Sequence, residues 1–347
     1  MEPVRALSGR PGRSQRRAFA AVAASRLMVL RTVIALGGNA LQRAGTSGTW
    51  SEAVRQMRRT APAIVRVARS GREILLTHGN GPQVGALLRS SELAAREIPA
   101  PPMPAVDAES EGQIGYLIEQ EIDSALAVAR ARRHVAALIA RMEVSPRDPE
   151  FRSPSKPVGR FYTEIEARRL RKSEGWTMVH DAARGGWRRV VASPKPLRWL
   201  EADLVKGFFE FGLGSHWILV TGGGGGIAVV RRARGRFEGV DAVIDKDLGS
   251  AVIARAIGAD TLAIVTDVPG VATGFGTPSE RWLGATTLEE LERLSAAGEF
   301  PKGTMGPKVA AGIDFLRAGG REFVVTDIPS LDRALRGEAG TRVRPRR

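Results

Sequence analysis

The sequence predicts an α/β fold built around a mainly parallel β-sheet. Short apolar runs typical of buried strands alternate with helical patterns along the chain, and three of these strands run directly into glycine, aspartate or proline. The composition, with 43% hydrophobic and 26% charged residues, is that of an ordinary globular protein. It excludes a fibrous or mainly disordered chain.

The predicted elements follow one another in order. A buried strand is predicted over residues 28–36, and the GGNAL after it opens a helix. A second strand over 73–77 is followed by HGNGPQVG and a helical segment, and residues 112–131 have good helical spacing. Further strands are predicted within 134–140, 217–226, 261–271 and 322–327.

Residues from about 145 to 200 differ in composition and in hydrophobic pattern from the rest of the chain. They are rich in proline, arginine and aromatic residues and lack the periodicity of a core. The segments GWTMVH and WRRVVA within them are plausible short strands, which a linker would not contain. We therefore predict an inserted lid subdomain here.

The two ends of the chain are strongly basic. Residues 1–27 hold six arginines and one glutamate, as transit or export leaders do, but the apolar stretch AFAAVAA is too short and weak for an export signal. We favour either a disordered tail or a non-native leader that precedes a natural start at Met28. Residues 342–347 are expected to be a basic tail, and the folded body of the chain is expected over residues 28–341.

Composition excludes several classes of function. The chain has no cysteine, so disulfides and thiolate metal sites are ruled out. No apolar run is long enough for a membrane helix. The net charge of +15 raises the question of nucleic-acid binding, but 45 of the 52 basic residues are arginines spread along the chain, which indicates a codon preference. We expect no nucleic-acid or membrane partner.

Three glycine clusters follow predicted strands. They are Gly37–Gly38–Asn39, Gly79–Asn80–Gly81 and residues 222–226, which include Gly223, Gly224 and Gly225. Glycine allows close approach of the backbone to a ligand, and amides at a helix start bind anions. One such loop is explained by a tight turn, but three in one sheet indicate a polyphosphate ligand. Neither a Walker A pattern nor a Rossmann fingerprint is present.

Lysine is rare in this arginine-rich chain, which favours a specific role for the lysines that are present. Lys246 precedes an amphipathic helix and Lys308 lies in the first turn of another, where a cation opposes the helix dipole unless an anion is bound. Asp247 would orient the ammonium of Lys246. Lys156 stands between two prolines on the predicted lid, which would hold it at a fixed place. Ordinary surface ion pairs are the alternative for each.

Other catalytic arrangements are not apparent in the sequence. The four histidines are scattered without metal-ligand spacing, the carboxylates form no convincing metal cluster, and no Ser/His/Asp arrangement is visible. The pattern of glycines and lysines favours positioning and cationic stabilisation, which is the chemistry of phosphoryl transfer.

Nine motifs then give a family resemblance. In order along the chain they are VIALGGNAL, THGNGPQVG, IGYLIEQE, SPSKPVGRFY, RRVVASPKP, GGGGGI, VDAVIDKDLGSAVIARAIGAD, TDVPGV and PKGTMGPKV. Over residues 28–341 the chain resembles the carbamate kinases of the amino acid kinase superfamily. The resemblance implies a three-layer αβα sandwich with an eight-stranded sheet and a small protruding subdomain, forming a cytoplasmic homodimer.

The resemblance also implies an activity. It is reversible phosphoryl transfer between MgATP and carbamate, which gives MgADP and carbamoyl phosphate and serves ATP synthesis in arginine catabolism. No general base is needed because carbamate is already an anion. The family's requirements are ATP or ADP as substrate and Mg²⁺.

The resemblance further implies a role for each matching residue. Lys246 and Lys308 neutralise the transferred phosphoryl group, Asp247 orients them, and Lys156 reaches in from the lid. Gly37, Gly38 and Asn39 donate to phosphoryl oxygens, whereas Gly79, Asn80, Gly223, Gly224 and Gly225 frame the carbamate side. The nucleotide side is assigned to Thr266, Asp267, Val271 and Met305.

Three features depart from the family pattern: Glu111 replaces the usual glutamine after Ser110, Ala228 replaces a proline, and residues 272–282 around FGTP are atypical. They leave open a kinase of the same fold that acts on another small acid, or a protein that binds nucleotide without turnover. A panel of substrates discriminates among these readings.

Overall fold

The protein is described by a computed structural model over residues 29–41, 48–81, 83–182, 185–301 and 304–346. The predicted leader, residues 1–27, lies outside the described residues. The strands are β1 (Arg31–Leu36), β2 (Glu73–His78), β3 (His134–Leu138), β4 (Arg141–Val144), β5 (Lys156–Tyr162), β6 (Thr177–Asp181), β7 (Gly186–Val191), β8 (Pro196–Trp199), β9 (Trp217–Thr221), β10 (Ile227–Arg231), β11 (Phe237–Gly239), β12 (Thr261–Thr266), β13 (Val271–Thr273), β14 (Arg281–Leu283), β15 (Ala285–Thr287), β16 (Glu322–Asp327) and β17 (Thr341–Arg344). The α-helices are α1 (Trp50–Arg69), α2 (Gln83–Ala94), α3 (Met103–Val128), α4 (Glu164–Glu174), α5 (Ala202–Glu210), α6 (Lys246–Ala256), α7 (Leu288–Ala296), α8 (Met305–Arg317) and α9 (Leu331–Arg336).

Eight strands form the central sheet, in the order β15-β17-β16-β12-β1-β2-β9-β3. All neighbouring pairs are parallel except β16 and β17. Alternate residues of β1 enter two different apolar cores, with Val33 and Ala35 on one side and Ile34 and Leu36 on the other. Helices α6 and α8 cover the first side, and α1 and α3 cover the second. The predicted α/β fold, a three-layer sandwich around an eight-stranded sheet, is confirmed.

Two boundaries differ from the predictions for the helices. The GGNAL segment forms a 3-10 turn over Gly38–Ala40, and the first α-helix of the described residues begins at Trp50. The helix predicted over 112–131 runs instead from Met103 to Val128. Proline at its start is compatible with a helical first turn, because the amide that proline lacks has no partner inside the helix there.

A second sheet, in the order β11-β10-β4-β8, packs on the core beside α6. Strand β8 lies within the range 145–200 that was predicted as the lid, but it pairs with β4 outside that range. The separate three-stranded sheet β5-β7-β6 and helix α4 occupy residues 156–191. We propose that residues 156–191 are the lid and use the name in this sense below.

Arginine side chains stack on aromatic rings across the lid. Among the described residues of the lid, one small apolar cluster consists of the buried Tyr162, Ala167 and Met178, with further side chains packed against it. Four guanidinium groups lie 4.1–4.8 Å from ring centroids within the lid; the pairs are Arg160–Tyr162, Arg171–Trp187, Arg188–Phe161 and Arg189–Trp176. Glu92 of α2 accepts a hydrogen bond from the Tyr162 hydroxyl and so fastens the lid to the body of the molecule.

The prediction of a basic tail over 342–347 is wrong for residues 342–344. They belong to β17, an inner strand of the central sheet, where Val343 is fully buried. Arg342 and Arg344 both form ion pairs with Glu322 of the neighbouring strand. The basic side chains therefore have partners inside the fold. Among the helices of the described ranges, none combines the length and apolar character needed to cross a bilayer.

Candidate active site

The three glycine clusters lie side by side. They follow β1, β2 and β9, which are consecutive in the central sheet and parallel. Their turns therefore meet at the carboxyl edge of the sheet, where open α/β sheets bind ligands. The amide of Gly37 is already used, since it donates to the carbonyl of Val265 at 2.9 Å. Gly37 thus allows the backbone after β1 to pack closely against β12. Its predicted role as a hydrogen-bond donor to phosphate is not supported.

The glycine turn 222–226 requires glycine for two reasons. Four of its residues have positive φ, among them Gly224 at 62°. It also packs against bare backbone, because a Cβ on Gly249 of α6 would lie 2.7 Å from the carbonyl oxygen of Gly225. This contact brings the first turn of α6 directly to the edge of the sheet.

Two lysines share one buried carboxylate at this edge. Lys246 is the first residue of α6 and donates to Oδ1 of Asp247, while Lys308 of α8 donates to Oδ2 at 2.9 Å. Burial alone would raise the pKa of Asp247, but the two ammonium groups outweigh it and the pKa is lowered. Asp247 therefore remains ionised and holds both cations in place.

Lys156 reaches the same place from the lid. Its Nζ lies 3.4 Å from Oδ2 of Asp245, and Oδ1 of Asp245 accepts the amide of Asp247 at 2.9 Å as the N-cap of α6. The structure thus brings together all four residues predicted to be catalytic: Lys156, Lys246, Asp247 and Lys308.

Two cavities open on either side of the lysine pair. The first, of about 420 Å³, is lined by Thr266, Asp267 and Met305, three of the residues assigned to the nucleotide; it is called the nucleotide-side cavity below. The second, of about 560 Å³, is lined by Gly79, Asn80 and Gly224, which were assigned to the carbamate side, and also by Lys156; it is called the acceptor-side cavity below. Gly38, Lys246 and Lys308 line both cavities. A group bound to the two lysines would therefore have access to both.

Some predicted residues lie elsewhere. Val271 is fully buried in the core, and its neighbour Ala272 lines the first cavity instead, as the alternation of a strand requires. Gly223 and Gly225 are buried in the glycine turn behind Gly224. The backbone of Asn39 lies in the 3-10 turn, and its side chain lies outside the described part of the chain.

Comparison with known proteins gives the family. The pattern of the Amino acid kinase family matches residues 30–327. The chain belongs to the amino acid kinase family. Carbamate kinase of Thermococcus kodakarensis is 44% identical over 316 residues, which cover 90% of this chain and 98% of that protein. Carbamate kinase of Pyrococcus horikoshii is 43% identical over 317 residues, covering 91% and 99%.

A solved structure supports the same conclusion. Carbamate kinase from Giardia lamblia bound to AMP-PNP superposes with a TM-score of 0.86 at 36% identity, covering 92% of this chain and 99% of that one. The resemblance to carbamate kinase read from the motifs is confirmed, and this amino acid kinase is a phosphotransferase.

Several residues of the kinase site were not predicted from the sequence. Phe275 and Phe300 line the nucleotide-side cavity, and Arg160 and Arg188 line the acceptor-side cavity. Phe275, Arg160 and Arg188 lie inside motifs that the sequence displays, FGTP, SPSKPVGRFY and RRVVASPKP. The motifs were therefore a usable signal for these three residues.

Buried titratable groups of α3 and β2 lie directly behind the acceptor-side cavity. Burial, with a smaller contribution from Asp241, raises the pKa of Asp107 to about 7. Burial likewise raises the pKa of Glu111 to about 8, although backbone amides of Ala140 and Gly223 donate to it. Burial lowers the pKa of His78 to about 4, so this histidine is neutral. The sequence analysis noted Glu111 only as a departure from the family pattern and gave no role to Asp107 or His78.

Proposed function

We propose that this amino acid kinase is a carbamate kinase, which transfers a phosphoryl group reversibly between MgATP and carbamate. The observation that carries the proposal is the shared carboxylate: Lys246 and Lys308, both bound to Asp247, lie where the two cavities meet. The similarity to carbamate kinases over about nine-tenths of the chain supports the choice of acceptor.

The lysine pair would stabilise the charge of the transferred phosphoryl group. Each ammonium uses one hydrogen on Asp247 and retains others for phosphoryl oxygens. Because Asp247 stays ionised and accepts from both lysines, the cations are already in position before the substrates bind, which is the arrangement that electrostatic catalysis needs. Lys156 adds a third cation from the acceptor side.

The acceptor needs no proton removed. Carbamate is an anion that attacks through a carboxylate oxygen, and the histidine nearest the glycine turn, His78, is buried and neutral. The positive charge of Lys156, Arg160 and Arg188 around the cavity supports an anionic acceptor. The apolar lining of the first cavity by Phe275, Phe300 and Met305 suits a nucleotide base.

Mg²⁺ fits this site as a companion of the nucleotide. Within the described ranges, no three His, Asp or Glu side chains come together to hold a metal ion. Kinases typically bind Mg²⁺ mainly through substrate phosphates and water, with one or two carboxylates. Asp267 lines the nucleotide-side cavity, and its carboxylate is the group we propose as a protein ligand for the ion. When bound, the ion would share the neutralisation of phosphate charge with the lysines.

Three finer predictions remain proposals. They are ATP synthesis in arginine catabolism as the physiological direction, a homodimer, and a cytoplasmic location, all supported by resemblance to the family. Sedimentation of the purified protein tests the dimer. Loss of arginine-dependent ATP formation after deletion of the gene tests the direction of the reaction.

The proposed activity predicts ATP formation from MgADP and carbamoyl phosphate. Lys246→Ala should reduce this rate by roughly 10²–10³-fold, because it removes a charge that acts in the transition state. Lys206→Ala is the matched control, since Lys206 is an exposed lysine of α5 that pairs only loosely with Glu210 at 3.9 Å. A coupled assay of ATP production measures both.

Wild-type protein that binds ADP but forms no ATP from carbamoyl phosphate would refute the proposed acceptor. Equal activity of the wild type and Lys246→Ala would refute the proposed role of the lysine pair, even if the reaction itself is found.

A further inference from the structure

We propose that Ser110 and Asp107 of α3 are positioning residues that fix the amide of Asn80 with its oxygen towards the acceptor-side cavity. The cavity would thereby select an acceptor that carries an N–H donor beside its carboxylate. This inference rests on the proposed function and names a determinant of its specificity.

The hydroxyl of Ser110 fixes which end of the amide faces it. Its single hydrogen is donated to the backbone carbonyl of Asp107 at 2.9 Å, so Oγ can only accept from any other partner. Asn80 lies 3.1 Å away and must therefore present its NH₂ group. Its second hydrogen points to Oδ1 of Asp107 at 3.4 Å. A flipped amide would place two acceptors against each other.

The amide oxygen consequently lies on the cavity side. A Cβ on Gly224 would fall 1.5 Å from Oδ1 of Asn80, so this oxygen occupies the space that the missing side chain leaves. Asn80 and Gly224 both line the acceptor-side cavity. Within the described part of the chain, no donor is hydrogen-bonded to Oδ1 of Asn80. The oxygen is thus available to a ligand.

A hydrogen-bond acceptor without a partner, such as Oδ1 of Asn80 in the acceptor-side cavity, discriminates between ligands of the same shape. Carbamate and acetate are small planar anions that differ in carrying an NH₂ group or a methyl group. The NH₂ group can donate to Oδ1 of Asn80, whereas the methyl group would bury that oxygen without a partner. Sites that pair with a substrate N–H or O–H reject the analogue lacking it by large factors.

The test compares carbamoyl phosphate with acetyl phosphate as phosphoryl donors to MgADP. We expect wild-type kcat/KM to favour carbamoyl phosphate strongly. Ser110→Ala frees the amide to rotate, so the ratio of the two kcat/KM values should fall by about tenfold or more, through the carbamoyl phosphate reaction alone. Asp107→Asn should act in the same direction, because its amide can donate to the oxygen of a flipped Asn80.

Ser124→Ala is the matched control. Ser124 lies on the same helix and its hydroxyl makes the same kind of bond, to the carbonyl of Gln120 at 2.8 Å, but it is exposed and lines neither cavity. Its ratio should equal that of the wild type. ADP affinity, measured by calorimetry, should be unchanged in all three variants.

The outcomes separate the two proposals. Unchanged ratios in Ser110→Ala and Asp107→Asn, in active protein, overturn this inference and leave the proposed function standing. Rates that fall equally for both donors assign the two residues a purely structural role and also overturn it. If Ser110→Ala does not fold, Asp107→Asn decides. Wild-type protein that binds ADP without using carbamoyl phosphate overturns the proposed function itself.

Discussion

One buried carboxyl joins two segments that the sequence separates widely. Glu111 accepts the amide of Ala140 at 3.1 Å and the amide of Gly223 at 2.8 Å, and so links the end of β3 to the glycine turn. Burial raises its pKa to about 8 against these two donors. The glutamine that the resemblance gives as usual at this position is neutral at every pH, so Glu111 adds a titrating group there.

Glu111→Gln should make the stability less dependent on pH. The folded protein raises the pKa of Glu111 from 4.5 to about 8, so it binds this proton more tightly than the unfolded chain does. The resulting stabilisation is full below about pH 4.5 and is lost as the pH rises to about 8. The wild type should lose on the order of a few kcal/mol over this window relative to the variant. Urea unfolding at a series of pH values measures the difference.

Glu109→Gln provides the comparison for that experiment. Glu109 lies on the same helix but is exposed, so its replacement should leave the pH profile of unfolding as in the wild type. Parallel profiles for the wild type and Glu111→Gln would contradict the buried, proton-binding role of Glu111.

Residues of the candidate site could be predicted from the sequence where their type is rare in this chain. Lysine is rare in this chain, and three of its seven lysines line the acceptor-side cavity. Glu111 stands out in the sequence only as a departure from the family pattern, because its contact with Gly223, 112 positions away, is visible only in the structure. Val271 was assigned to the wrong face because a shift of one residue along a strand exchanges the core for the cavity.

At the scale of elements, the glycine turn 222–226 is the part of the site that we expect to tolerate substitution least. Its positive φ angles, the approach of α6 and the position of the Asn80 amide all depend on missing side chains. A side chain added at Gly224 would therefore displace the Asn80 amide, which lines the acceptor-side cavity.

Gly224→Ala should abolish most of the activity while leaving nucleotide binding intact. The new Cβ would fall 1.5 Å from the Asn80 oxygen and force the amide away, and displacements of this size can cost about 10²-fold in rate. Gly224 does not line the nucleotide-side cavity, so ADP affinity should be preserved. ATP formation and ADP calorimetry on the same samples test both statements.

Gly235→Ala separates backbone strain from the clash. Gly235 also has a positive φ, of 74°, but a Cβ there meets no atom within 4 Å. It should lose some stability and keep its activity. A Gly224→Ala variant as active as Gly235→Ala would show that the Asn80 amide can move without consequence for the reaction.

The elements predicted best are those with both faces buried. Strands β1, β2, β12 and β16 give continuous apolar runs, which parallel sheets covered by helices require. Strand β17 was missed because it is short and carries alternating arginines, whose partner Glu322 lies on another strand. A local pattern cannot show that such charges are neutralised across a sheet.

At the scale of the whole molecule, the order of strands assembles the site. The sheet places β1 between β2 and β12, so the turns after these strands become neighbours although they are far apart in the sequence. The glycine turns and the lysine pair lie at the carboxyl edge of the parallel sheet, where a ligand site was predicted, and both cavities open there. The division into two cavities that share the lysine pair was not predictable, since it depends on where the lid meets the body.

The stacking of arginine on aromatic rings makes the lid sensitive to one chemical in particular. The guanidinium ion has the same planar cation as an arginine side chain, so it can occupy the faces of Trp176 and Trp187 that Arg189 and Arg171 now cover. In guanidinium chloride, residues 156–191 should lose their hydrogen-exchange protection well before the central sheet. At a urea concentration that destabilises the central sheet to the same extent, the lid should keep more of its hydrogen-exchange protection.

Sodium chloride at the same ionic strength controls for the screening of ion pairs. Loss of protection at the same point in urea and guanidinium would mean that the stacked pairs contribute little to the lid. If the expected difference is found, dilute guanidinium acts on this kinase as a competitive ligand of its lid, and activity measured in the presence of that salt would report displacement of Lys156 before any unfolding of the protein.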